Sequence, residues 1–353
     1  MFILGFKSYN YNNFMKNDIP EISKQINKKD TYRVLDKRYS KLGPMWVSHQ
    51  IEWFNGIYSC FKDHDKFLII IFLTKKTLDF YLINSIRLTF DEFFIKKTIE
   101  IEEFSISEIS IALSIPKESA RRKISELEKE GVIRRYKKKI IIDRSCFNYS
   151  KPVDTIKRIS TFLSSLSSLC NDEKIFATKL TSRDLEIVIK DNFTHIWNFY
   201  YEMQIPMMTN YKFFFRDFET FHIFATCVVN QHFHAKRLSK LDVDRVNFIK
   251  NIFIKDKFPG INAMSISDIT GIPRATVIRK LKKLIKKNIL SVDQKKHYKL
   301  KETYVTILEP IQKSVFIKLA NFSSQVYNLA IQYKKLGNKK YETSLAPFFL
   351  KSQ

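Results

Sequence analysis

The chain has 353 residues, 44% of them hydrophobic and 14% aromatic, with 61 Lys and Arg against 36 Asp and Glu for a net charge of +25. That apolar share suffices for packed cores and argues against a disordered chain, and the length suggests two or three domains of about 150 residues. Only seven glycines occur and the closest two, Gly260 and Gly271, are eleven residues apart. A loop that wraps a phosphate needs two or three within about eight residues, so Rossmann, Walker-A and kinase-type nucleotide sites are excluded.

Residues 1–44 are polar and rich in Asn and Lys, and read as a partly ordered N-terminal extension. The short apolar stretch before Lys7 is too brief for a signal-peptide core. Residues 45–88 read as a helical segment dense in aromatics, beginning with Trp46, Trp53 and Phe54. The longest apolar run, residues 67–73, is closed by Lys75 and Lys76, far short of the roughly 20 residues that span a membrane.

Residues 89–144 carry a more specific pattern. Thr89-Phe90-Asp91-Glu92 has the spacing of a capping box and opens a helix. Ile109, Ala112 and Leu113 mark the apolar face of a short second helix, Ser114-Ile115 forms a turn, and Pro116 suits the start of a third. That third helix buries Ala120, Ile124 and Leu127, and Gly131 caps its C-terminus. A hairpin follows: residues 132–136, a basic tip of Lys137, Lys138 and Lys139, then residues 140–142.

Residues 145–240 form a second helical, aromatic-rich segment that opens with a post-hairpin helix over 152–169. Its aromatics, among them Trp197, Tyr200, Phe213 and Phe221, read as helix-packing core or as the lining of an effector pocket. Residues 241–302 then repeat the pattern, a helix over 303–335 follows with a recurrent stretch at 310–331, and residues 336–353 form a tail.

The repeat is gapless. Residues 104–133 align onto 261–290 at an offset of 157, with identities at Ile109/Ile266, Ser110/Ser267, Ile115/Ile272, Pro116/Pro273, Arg122/Arg279, Lys123/Lys280 and Leu127/Leu284. Asn288 stands where Gly131 caps the first copy. Of the 61 basic residues 46 are Lys, in a composition rich in Ile, Phe and Asn, so much of the excess is ordinary solvated surface. Yet residues 117–139 carry +6 and residues 274–299 carry +9, so three-fifths of the net charge falls on the two repeats.

The run Ile272-Pro273-Arg274-Ala275-Thr276-Val277, continuing through Arg279, Lys280, Leu281 and Leu284 with a hairpin behind it, resembles the winged helix-turn-helix of bacterial transcription regulators of the MarR, IclR and ArsR groups. The resemblance covers about 60 residues in each copy. It implies a mainly α fold with small β-hairpin wings, two such modules being embedded in helical segments as an intramolecular pseudo-dimer. It further implies that the second helix of each module lies in the major groove of duplex DNA while the wing meets phosphates. Lys117, Ser119, Arg121, Arg122, Lys137, Lys138 and Lys139 are the candidate contacts in copy one. Arg274, Thr276, Arg279, Lys282, Lys295 and Lys296 are those in copy two, whose second helix lacks counterparts of Glu118 and Glu126.

The expected function is that of a cytoplasmic, nucleoid-associated transcription regulator that binds double-stranded DNA at an asymmetric two-part site. The alternative is a tandem winged-helix protein-interaction or chromosome-organising protein with weak, non-specific DNA binding. The flanking helices are candidate surfaces for a homo-oligomer or a protein partner. No catalytic constellation, cofactor motif or membrane segment is expected. Cys60, Cys146, Cys170 and Cys227 form no C-x-x-C pair, and His222, Cys227, His232 and His234 diverge on a helix, so neither set is expected to bind metal.

Overall fold

The computed structural model describes residues 25–101, 105–136, 139–147, 151–238, 242–254 and 258–335. It is mainly helical, with two small three-stranded antiparallel sheets among the described residues. Helices α1 (Lys28–Lys37), α2 (Tyr39–Phe61) and α3 (His64–Ile83) come first, then α4 (Phe90–Ile95) and strand β1 (Thr98–Ile101). The helix pair α5 (Ile106–Leu113) and α6 (Lys117–Lys129) leads into the hairpin β2 (Ile133–Tyr136) and β3 (Lys139–Asp143), a 3₁₀ turn at Arg144–Cys146, and α7 (Val153–Asp172).

The same order then recurs. Helices α8 (Ser182–Asp191), α9 (Phe193–Phe215), α10 (Phe218–Leu238) and α11 (Arg245–Ile254) precede β4 (Ile261–Asn262). The pair α12 (Ala263–Thr270) and α13 (Arg274–Lys286), the hairpin β5 (Leu290–Val292) and β6 (His297–Leu300), and α14 (Thr303–Lys335) complete it. Helices α8, α9 and α10 each begin 154 residues after α1, α2 and α3, while α12 and α13 begin 157 after α5 and α6.

The local chemistry repeats with the elements. Asn27 and Thr181 accept from the backbone N–H of Asp30 and Asp184, capping α1 and α8 at matching positions. Lys62 and Arg216 adopt left-handed backbone at the ends of α2 and α9. The next residues, Asp63 and Asp217, accept from the N–H groups that open α3 and α10. The sheets have identical topology, β1-β3-β2 and β4-β6-β5, with every pair antiparallel.

The two units do not pack side by side as separate bodies. Helix α3 lies against α9 and α10 against α2, and likewise α1 lies against α14 and α8 against α7. Reciprocal hydrogen bonds mark the exchange. The N–H of Thr194 donates to the carbonyl of Leu88 at 3.2 Å, and the N–H of Leu88 returns to Thr194 Oγ1 at 3.0 Å. On the other side Ser40 and Val243 make the same pair at 3.1 and 3.0 Å. The aromatic-rich segments and α14 supply the core between them, with Phe54, Phe193, Tyr200, Phe322 and Tyr327 fully buried.

Several expectations need revision. The 44/45 boundary falls inside α2, and Val34, Leu35 and Leu42 of the supposed extension are buried, because α1 and α2 present apolar faces to α14 and α7. Residues 1–24 and the tail 336–353 lie outside the described residues. Strands β1 and β4, which complete each sheet, were not legible, being only four and two residues long. Ala112 faces solvent, leaving Ile109 and Leu113 to anchor α5.

Candidate nucleic-acid interface

Each helix pair is set by the same few residues. Ser105 and Asn262 accept from backbone N–H groups at the starts of α5 and α12. The turn between the helices needs left-handed backbone, supplied by Ser114 at φ 50° and Gly271 at φ 69°. Ser110 Oγ donates to the carbonyl of Ile115 and Ser267 Oγ to that of Ile272, both at 2.7 Å, which pins the turn to the preceding helix. Pro116 and Pro273 then hold an extended entry to α6 and α13. Ala120, Ile124 and Leu127 are buried beneath α6, as are Val277, Leu281 and Leu284 beneath α13. Gly131 and Asn288 end the two helices in left-handed backbone.

The opposite faces are open. In α13, Arg274, Arg279 and Lys282 are exposed and Thr276 is half-buried beside them. Among the described residues no carboxylate pairs with these three cations. Lys295 and Lys296 are exposed at the β5–β6 tip, a turn in which Asp293 Oδ1 accepts from the N–H of His297 at 2.9 Å. In α6, Lys117, Arg121 and Arg122 are exposed and Ser119 is half-buried. Here the arginines have partners: Arg121 donates to Glu118 at 2.7 Å, and Arg122 lies 3.7 Å from Glu126. Arg135 pairs with Glu128 and Lys139 with Glu100 at 2.5 Å, while Lys137 and Lys138 lie outside the described residues. The two heads therefore share a scaffold but not a surface.

The matched lysines of the repeat were not singled out as functional from sequence, and the structure buries them. Lys123 pairs with Asp63, with Asp65 at 3.9 Å, and Lys280 pairs with Asp217 at 2.7 Å and Glu219 at 3.3 Å. Burial opposes charge on Asp217, yet Lys280 and Thr220 hold its carboxyl below the ordinary carboxylate range. A cleft of about 250 Å³ separates the two junctions, walled by Asp63, Asp65 and Lys123 from one unit and Lys212, Asp217 and Glu219 from the other. Lys212 crosses it to reach Asp65 at 2.7 Å. Helices α6 and α13 are thus anchored on opposite sides of one charged cleft. The identity Lys123/Lys280, next to a buried stripe, was the available signal.

The histidine-rich segment is interior. His222 bonds Asn55 at 2.8 Å through Nε2 and faces His64 at 3.3 Å through Nδ1, while His232 packs edge-on against Tyr39 and Phe248. Burial pushes His64 down to about 3 and His232 down to about 4, and lowers His222 further than the neighbouring His64 alone would. Among the described residues no three His, Cys, Asp or Glu side chains gather to hold a metal, and no helix is long and apolar enough to cross a membrane. Among the described residues, Cys60, Cys146, Cys170 and Cys227 form no disulfide.

No protein-family model, no curated protein and no solved structure matches this chain.

Proposed function

We propose that the chain is a double-stranded DNA-binding transcription regulator that uses two linked winged helix-turn-helix modules, arranged as an intramolecular pseudo-dimer, on an asymmetric two-part site. The observation that carries this reading is the solvent face of α13. Arg274, Arg279 and Lys282 stand there without a carboxylate among the described residues, on a helix whose opposite face is fixed in the core. Such a face suits a major groove, where an arginine can grip O6 and N7 of guanine for about 1–3 kcal/mol of discrimination, and Lys295 and Lys296 suit phosphate contacts from the wing. The covalent link presents the α6 head at an effective concentration that can be millimolar once α13 is bound. On this reading the protein works at the nucleoid, in the cytoplasm.

Selection from random duplex DNA tests it. An enriched motif of two unlike parts is the expected result, with a log–log salt slope near −7 if about eight phosphates are contacted. Selection without enrichment would remove sequence-specific regulation. A second reading, a docking or chromosome-organising protein with weak DNA binding, draws support from the α6 head, where Glu118, Glu126 and Glu128 engage the arginines. Salt-sensitive binding indifferent to sequence would favour it.

A further inference from the structure

Two cavities occupy matching places in the two units. Phe67, Ile70 and Thr74 of α3 line the first, and Phe221, Phe224 and Val228 of α10, each 154 residues later, line the second. Across each stands a helix of the other unit: Phe193 and Tyr201 of α9 in the first, Tyr39 and Val47 of α2 in the second. The first measures about 40 Å³ and the second about 70 Å³. Their walls are mostly apolar, but their polar chemistry has diverged.

The first holds a cation. Arg144, only 8% exposed, lines the cavity with its guanidinium over the rings of Phe93 and Phe94 at 4.6 and 4.5 Å. Its Nη2 donates to the carbonyl of Phe93 at 2.7 Å and to that of Lys96, at the end of α4. Nε and Nη1 are buried with no hydrogen-bond partner among the described residues, which leaves three of the five N–H donors of a guanidinium unused there. No carboxylate among the described residues pairs with it, and burial lowers its pKa to about 10. A buried charge without a counter-ion is costly, and an anionic oxygen in the cavity would relieve it. Among the described residues that line the second cavity there is no such cation. Lys301, 157 residues after Arg144, bonds Asn288 at 2.5 Å, and the polar atoms left unpartnered at the second cavity belong to Gln50 and His232.

We propose that the Arg144 cavity binds a short-chain monocarboxylate, one per chain. One cation calls for one negative charge, and the apolar walls call for a hydrocarbon body. The volume sets the length. A single water needs roughly 10–15 Å³, whereas a cavity that admits benzene measures about 150 Å³, so a few heavy atoms fit and an aromatic acid does not. The site also lies at a joint, since Ile99 and Ile142 of the first sheet face α3 and α9 across it. A bound acid would brace the first head against the helical layer.

Full-length protein titrated with sodium propionate, against sodium chloride and sodium benzoate at equal ionic strength, tests the assignment. Propionate should raise Tm with the logarithm of its concentration above the dissociation constant, by about 4 °C at a hundred times that constant. Calorimetry should give one site per chain, and the Arg144 Nε–H resonance should shift. Arg144→Gln should abolish the effect. Thr74→Met, which fills the cavity and keeps the guanidinium, should weaken binding at least tenfold and decides the matter if Arg144→Gln does not fold. Equal stabilisation by chloride, two sites per chain, an unmoved Arg144 resonance, or binding retained in Thr74→Met would each overturn the proposal.

Discussion

Lys280 stands 157 residues after Lys123, and each ammonium is buried against two carboxylates at the N-terminus of a helix outside its own helix pair. Charge–charge contacts thus orient both exposed helix faces, and apolar burial alone does not. Removing one partner strands the others. Lys280→Met is expected to cost about 2 kcal/mol, below the 3–5 kcal/mol of fully buried pairs because Asp217 and Glu219 keep a third of their side-chain surface. Adding Asp217→Asn should recover part of the loss. Denaturant unfolding of the two variants checks this, and a double variant less stable than the single would refute it.

The DNA reading makes the two heads unequal. Arg279 has no acidic neighbour among the described residues, whereas Arg122 lies 3.7 Å from Glu126. Arg279→Ala should weaken binding to the selected duplex tenfold or more, and Arg122→Ala less than threefold. Equal losses, measured by titration at one fixed salt concentration, would sink the asymmetry.

Acid should destabilise the fold. His49, His64 and His232 are buried neutral, with desolvation pushing them down to about 3, 3 and 4. In the unfolded chain they protonate near pH 6.5. Between those values the unfolded state binds more protons, so this contribution is present above pH 6.5 and lost as pH falls. The loss is at most about 1.4 kcal/mol per pH unit for each histidine. His232→Phe keeps the packing against Tyr39 and Phe248, removes an unpartnered Nδ1, and should shallow the pH dependence by about one proton. A flat stability profile from pH 7.5 to 5 would contradict the assignment.

The two turns offer a backbone comparison. Ser114 holds a left-handed φ of 50° where its counterpart is Gly271 at 69°. Ser114→Gly should therefore stabilise the protein by about 0.5–1 kcal/mol, while Gly271→Ala should cost about 1 kcal/mol. A Cβ at Gly271 would meet nothing nearer than 3.9 Å, so that cost is conformational and not steric. Thermal unfolding of both variants reads the two signs.

The helix pairs and hairpins were legible because their chemistry is local. The offset of 157 seen in residue identities is the offset between the helix starts themselves. The larger repeat was hidden for a physical reason. Helices α1 to α3 match α8 to α10 at 154, and scattered identities such as Asp30/Asp184, Gln50/Gln204, Asp63/Asp217 and Phe67/Phe221 carry no motif. Packed helices constrain volume and phase, which many apolar residues satisfy, and the register changes between the two halves of each unit. The lysine anchors were invisible because their partners lie 60 and 63 residues away in sequence. The exposed faces of α6 and α13 followed from helical phase, but the pairing of Arg121 with Glu118 did not.

The exchange of helices between the units has a consequence for how the molecule exists at low abundance. Because α3 lies on α9 and α10 on α2, neither unit can release its neighbour without opening its own interior. A two-chain assembly of this design would come apart on dilution and could trade subunits with a damaged or divergent copy. Here the arrangement closes by a first-order reaction within one polypeptide. Its geometry is the same at one molecule per cell as at a thousand.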